Sequence, residues 1–252
     1  MDAPASYSCI LECIVGSTLH GTSVEDGLED LDIMGVAIEH PSRLLGFSTR
    51  DTWVERTKPE GVRSEAGDVD KTTYGLRKYL GLALNGNPTI LLPLFAPAEF
   101  TRFINSTGQE LRDLAPHLLS RRVGSSFLGY LDQQLKRLMG RAGQKRCTRP
   151  ELIERHGFDT KFAGHVIRLG LQGIELLSTG KLTLPMPEAA RQQVRDVRLG
   201  KLSIHEVEAW GLDLIEQLKQ ARDKSPLPEE PNTPLVEKWM LHTYLEHWSQ
   251  RK

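Results

Sequence analysis

The 252-residue chain is 26% charged and 39% hydrophobic, the balance of a soluble globular protein with enough core for one large domain or two modest ones. A formal net charge of −1 argues against a global basic field, so contact with nucleic acid has to come from a local patch. Three cysteines without paired spacing argue against a disulfide framework, and no apolar run reaches membrane-spanning length.

The N-terminus lacks a charged-then-apolar leader, so a cytoplasmic location without membrane contact is the expectation. The apolar run Cys9 to Val15 predicts a buried strand, and Ile33 to Ile38 predicts a second. Between them lie Gly16-Ser17, a polar turn-like stretch, and Asp30-Leu31-Asp32. Strand alternation projects Asp30 and Asp32 to one side and sends Leu31 and Ile33 into the core. Two carboxylates held side by side repel unless a cation sits between them, and hard cations such as Mg²⁺ take carboxylates together with substrate phosphates. Gly16 permits close approach of backbone to a ligand, and Ser17 offers a hydroxyl at the start of a short helix. Gly-Ser alone is more often a plain turn, and Asp-x-Asp alone a solvated strand edge. Together, between two apolar strands, they point to a phosphate cradle beside a metal site.

Residues 40–67 predict a long polar loop with a strand fragment at Thr52 to Val54, in which Trp53 and Arg56 are candidates for lining a nucleotide site, although an aromatic tucked onto the core is the commoner reading for Trp53. Asp68 and Asp70 follow, and alternation turns both the same way; either could complete an acidic site. Asp70 is preferred, with Asp68 a solvated turn residue. A helix is predicted from Tyr74 to Leu84, closed by Asn85-Gly86-Asn87-Pro88. Ile90 to Phe95 fits either helix or strand, and from Glu99 onward the pattern is helical almost throughout. Phe127 to Met139 is amphipathic, and a basic connector carrying Arg141, Lys145, Arg146, Cys147 and Arg149 leads to the longest predicted helix, Asp159 to Ser178, capped by Gly180. Helices near Pro187 to Arg198 and Ser203 to Ala221 come next, the latter opened by the capping box Ser203-x-x-Glu206. A Pro-rich linker, Ser225 to Pro234, precedes a last helix over Leu235 to Trp248.

The expected architecture is therefore α+β: a small sheet with helices over residues 1–110 and an all-helical part over 111–252, the boundary falling between about 97 and 120. On the long helix Lys161, His165 and Arg168 are spaced by four and then three residues, hence on one face, and form a candidate phosphate or base clamp. His20, beside the Gly16-Ser17 turn, is a candidate for orienting substrate. A neutral core histidine is an equal reading for His165, and a helix-terminal histidine without ligand for His20. The three cysteines read as inert thiols. Zinc spacing, dinucleotide and Walker loops and a serine elbow are all lacking.

The run Gly16-Ser17-Thr18-Leu19-His20-Gly21, with Asp30-Leu31-Asp32-Ile33-Met34-Gly35, carries the Gly-Ser and Asp-x-Asp signature of DNA polymerase beta-like nucleotidyltransferases. With the runs Asp70 to Leu80, Asn85 to Pro88 and Asp159 to Leu169, in that order over about residues 9–220, the chain resembles the RNA repair pathway polymerase-beta family, predicted nucleotidyltransferases of bacteria and phages. The resemblance implies a mixed-sheet palm holding two Mg²⁺ (or Mn²⁺) ions on Asp30, Asp32 and Asp70, with Gly16 and Ser17 on the triphosphate. It also implies a helical domain closing the cleft with Lys161 and Arg168. A nucleoside triphosphate is the implied substrate and RNA, such as a tRNA end, the favoured acceptor. A protein or small-molecule acceptor is the alternative, and a non-catalytic nucleotide- or RNA-binding module the reading from another class. Gly75 and Pro93 stand where relatives are expected to carry Glu, which makes the exact substrate less transferable.

Overall fold

The structure, a computed structural model, describes residues 7–24, 30–47, 50–59, 67–140 and 149–250. Its front half is one five-stranded mixed sheet: β1 (Tyr7–Ile14), β2 (Leu31–Glu39), β3 (Thr52–Arg56), β4 (Val69–Gly75) and β5 (Thr101–Ile104), in the order β3-β4-β2-β1-β5. β1 runs antiparallel to β2 and β5, β3 antiparallel to β4, and β2 parallel to β4. The short helix α1 (Gly16–His20) connects β1 to β2, and α2 (Pro41–Leu44) follows β2. After β4 come α3 (Leu76–Leu84) and α4 (Leu92–Phe95), and after β5 come α5 (Ser106–Asp113), α6 (Ala115–Leu118) and α7 (Arg122–Leu138). The remainder is α8 (Pro150–His156), α9 (Thr160–Thr179), α10 (Glu188–Arg198), α11 (Ile204–Asp223) and α12 (Thr233–Ser249). This is the expected α+β arrangement, and no helix among the described residues is long and apolar enough to cross a membrane.

Helix α9 is the axis of the helical half. Asp159 caps its N-terminus by accepting from Phe162 N at 2.9 Å, and Gly180 ends it in the left-handed conformation. α7, α10 and α11 all pack on it, and its small residues let them approach: a Cβ on Gly164 would meet Arg198 Cγ at 2.5 Å, and one on Gly173 would meet Phe127 Cδ1 at 2.6 Å. The capping box of α11 is present, Ser203 Oγ accepting from Glu206 N and Glu206 Oε2 from Ser203 N. Helix α12 turns back to the sheet, where Tyr244 Oη donates to Glu39 Oε2 at 2.6 Å and Trp248 Nε1 to the Glu39 carbonyl at 2.9 Å.

Three sequence expectations need correction, and the run left open between helix and strand is decided. The strand Thr101–Ile104 lies where helix was expected; it is a four-residue edge strand containing exposed Arg102 and Phe103, too short to display a period. The run Ile90 to Phe95 ends as the single turn α4. Tyr74 belongs to β4, so α3 begins at Leu76. The faces of β2 are also reversed. Met34, Val36 and Ile38, which share the face of Asp30 and Asp32, join the main core, whereas buried Ile33 lies on the other face. The helix-packed face of the sheet thus runs straight from the core into the cleft where the aspartates stand. Trp53 lies on the opposite face, its ring 4.6 Å from that of Tyr7. Cys9 and Cys13 lie in β1, where burial pushes the Cys9 thiol up to about 11 and raises that of Cys13. Arg141, Lys145, Arg146 and Cys147 fall outside the described residues.

Candidate active site

The acidic corner is built by register. In the parallel β2–β4 pair Asp32 stands directly beside Asp70, so the two side chains share a face, and Asp30 precedes Asp32 by one pleat. Asp30, Asp32 and Asp70 each present a carboxylate oxygen within 4.8 Å of the others, and all three are half-buried. Arg56 Nε lies 3.8 Å from Asp70 Oδ1, but both side chains remain well exposed (42% and 31%), so the acids are not sealed off. Asp68 is not part of the cluster. It precedes β4, its carbonyl accepts from Leu31 N at 2.8 Å, and its buried carboxylate pairs with Lys58 at 3.1 Å. The solvated turn residue of the sequence reading is therefore a buried structural ion pair.

The turn beside the acids is equally constrained. Val15 N donates to the Asp32 carbonyl at 2.9 Å, which brings the end of β1 against the start of β2. Gly16 follows at φ +68°, and a Cβ there would overlap Asp32 Oδ2. Ser17 therefore enters α1 immediately beside Asp32. His20, the last residue of α1, is 3% exposed, and Gly21 closes the helix at φ +69°.

Across from the sheet, α9 and α10 supply the opposite wall of a cleft of about 350 Å³. Gly16, Ser17, His20, Asp30 and Asp32 line one side, and Lys161, His165 and Arg168 line the other. The α9 residues named from their spacing thus face the acids. Arg149 and Arg198 join the same wall. Arg149 pairs with the buried N-cap Asp159 at 3.0 Å, and Arg198 donates to the Thr22 carbonyl at 2.6 Å. The available signal for Arg198 was its place in Arg191, Arg195 and Arg198, the same four-then-three spacing as on α9.

One hydrogen-bonded chain crosses the cleft floor. Arg168 NH1 donates to Gln172 Oε1 at 2.6 Å, Gln172 Nε2 lies 3.1 Å from His20 Nδ1, and Arg168 NH2 lies 2.8 Å from His165 Nδ1. Burial and the Arg168 charge push the His165 pKa down to about 3, and burial together with the Arg168 charge holds His20 well below the usual histidine range. Burial also lowers Arg168, to about 10, so it stays charged at neutral pH. The α9 wall therefore carries arginine and lysine charge and the neutral His165 ring, with the neutral His20 ring on the side of the acids. A carboxylate triad facing such a wall suits a polyanion brought to divalent cations, and the donor set, oxygen only, fits Mg²⁺ or Mn²⁺ rather than zinc.

Comparison with known proteins places the chain in a class, the DNA polymerase beta-like nucleotidyltransferases. The profile of RlaP, the RNA repair pathway DNA polymerase beta family, matches residues 3–242, and the chain belongs to that family. It is similar, at 29% identity over 120 residues, to an uncharacterized 38.9 kDa protein from the nrdC–mobD intergenic region of Enterobacteria phage T4. That stretch is 46% of this chain and 34% of the phage protein, so the chain matches about a third of its relative's length. A solved nucleotidyltransferase-like protein from Exiguobacterium sibiricum aligns over 87% of this chain and 70% of its own, at 14% identity and a TM-score of 0.32.

Proposed function

We propose that the protein moves a nucleoside monophosphate from a nucleoside triphosphate to an acceptor hydroxyl, releasing pyrophosphate, and that the acceptor is an RNA end, a tRNA end being the first to test. The observation that carries this reading is the Asp30/Asp32/Asp70 cluster, of which Asp30 and Asp32 line one cleft with Lys161 and Arg168. Asp30, Asp32 and Asp70 would together hold two Mg²⁺ ions, for which Mn²⁺ would substitute, with Asp70 the third carboxylate of the set. Bound there, the ions would supply acidification of the acceptor hydroxyl and neutralisation of phosphate charge.

The chain's own groups divide the remaining work. Ser17 Oγ donates to the terminal phosphates beside the Gly16 turn, whose lack of a side chain leaves room for the Asp32 carboxylate. Lys161 acts as a compact charge and Arg168 as a planar fork on the same phosphates. Both face the leaving pyrophosphate, where negative charge grows as the bond to the α-phosphorus breaks. Asp70 accepts the acceptor's proton as its oxygen attacks the α-phosphorus. His20 and His165, being neutral, add no charge and keep their ring N–H groups as donors. The helical part, residues 111–252, closes on the nucleotide as a clamp.

Incubating the protein with Mg²⁺ and each α-labelled triphosphate, with and without RNA, tests the reading. Label on RNA supports it, label on the protein points to a protein hydroxyl as acceptor, and nucleotide binding without turnover leaves only a binding module.

A further inference from the structure

We propose that Gln172 is a positioning residue that bolts the α1 turn to Arg168 and fixes His20 as the Nε2–H tautomer, as Arg168 fixes His165. The argument runs along the hydrogen bonds. A guanidinium only donates, so the amide atom that meets Arg168 NH1 at 2.6 Å has to be oxygen. The Gln172 nitrogen then faces His20 Nδ1 at 3.1 Å and donates to it, which leaves the His20 proton on Nε2. Arg168 NH2 donates to His165 Nδ1 at 2.8 Å by the same logic, and His165 keeps its proton on Nε2 as well. Every bond in the chain has one permitted direction.

The link joins residues 152 apart in sequence and lies in the interior, with Gln172 2% and His20 3% exposed. A leucine of similar volume would fill the space without burying an amide, so packing alone does not call for glutamine. Gln172 stands one helical turn beyond Arg168, and His20 three residues beyond Ser17 on α1. The bolt therefore sets the distance between the serine turn and the arginine fork. Two further bonds hold α1 in place: Met186 N donates to the His20 carbonyl at 3.1 Å, and Arg198 to that of Thr22. The effect on nucleotide affinity rests on the transfer reading above, whereas the tautomers do not.

Two measurements test the proposal separately. Ring ¹⁵N spectra of the whole protein should show His20 and His165 with the proton on Nε2. In Gln172→Glu the carboxylate still serves Arg168 but can only accept, so His20 should switch to the Nδ1–H form. An Nδ1–H form of His20 in the wild type, or an unchanged tautomer in the variant, overturns the proposal. The second measurement is the affinity for a non-hydrolysable triphosphate with Mg²⁺. Gln172→Leu, which leaves Arg168 NH1 and His20 Nδ1 without their partner, should lower the melting temperature by a few degrees and weaken the affinity about tenfold at a temperature where the variant is fully folded, and should add nothing in an Arg168→Ala background. Additive losses in the double variant overturn the proposal, as does unchanged affinity in the single one. Should Gln172→Leu fail to fold, Gln172→Met takes its place. If the wild type binds no triphosphate, the nucleotide reading fails and the tautomers still decide the link.

Discussion

Gly16 joins the end of β1 to Ser17 in a left-handed conformation, and its α-carbon faces an aspartate oxygen. Alanine there would cost about 1–2 kcal/mol for the backbone alone. It would also push Asp32 out of the corner it shares with Asp70. Gly16→Ala should therefore lower the melting temperature by a few degrees and weaken divalent-ion binding at least tenfold, as read by calorimetry. A second residue-scale expectation comes from His165. Its pKa in the fold, about 3, lies below the ordinary 6.5, so the unfolded chain takes up its proton first as pH falls. Stability from the neutral ring is complete above about pH 6.5 and is lost at up to about 1.4 kcal/mol per pH unit below it. Denaturant melts between about pH 7.5 and about pH 5.5 should show a shallower decline for His165→Gln, whose amide oxygen can still accept from Arg168. An equal slope in both proteins would count against the neutral ring.

The elements that place the acids were legible because their chemistry is local. β-Branched runs bounded by breakers marked β1 and β2, and helical spacing put Lys161, His165 and Arg168 on one face. What escaped depended on partners far along the chain. β5 pairs with β1 across some ninety residues and has no period of its own. The helix-facing side of β2 could not be known before the helices were placed. Gln172 extends the Lys161, His165 and Arg168 stripe by one more turn, but a glutamine in an apolar helix does not declare its partner. Glu39 escaped as well. At 1% exposure, and with burial raising its pKa, it accepts from Leu76 N at 3.1 Å and from Tyr244, whose oxygen in turn accepts from Arg77 N. It also explains Gly75, where relatives were expected to carry Glu: any side chain at 75 would overlap the Glu39 carboxylate. Glu39 lies seven residues from Asp32 along β2, roughly 23 Å away. Tyr244→Phe should thus cost about 1–3 kcal/mol in urea melts and leave nucleotide transfer unchanged. A fall in transfer without a fall in stability would tie α12 to the site instead.

At the scale of the whole molecule, a net charge of −1 conceals a sharp separation of charge. The sheet brings three carboxylates to the mouth of the cleft, and the helices bring lysine and arginine to the facing wall. Composition cannot register such an arrangement, because the signs cancel in the sum. It arises from folding a strand-rich front half against a helical back half whose core is continuous with it. Membership of the RNA repair pathway DNA polymerase beta family supports the proposed nucleotidyl transfer, and so does the facing of acids and cations. The most direct test is transfer itself, measured with an α-labelled triphosphate, Mg²⁺ and RNA. The wild-type protein should place label on RNA and release pyrophosphate in equal amount, and Asp70→Asn should fold normally and lose at least about a hundredfold in rate. Transfer that survives the loss of Asp70, or no turnover with any triphosphate under Mg²⁺ or Mn²⁺, would contradict the account.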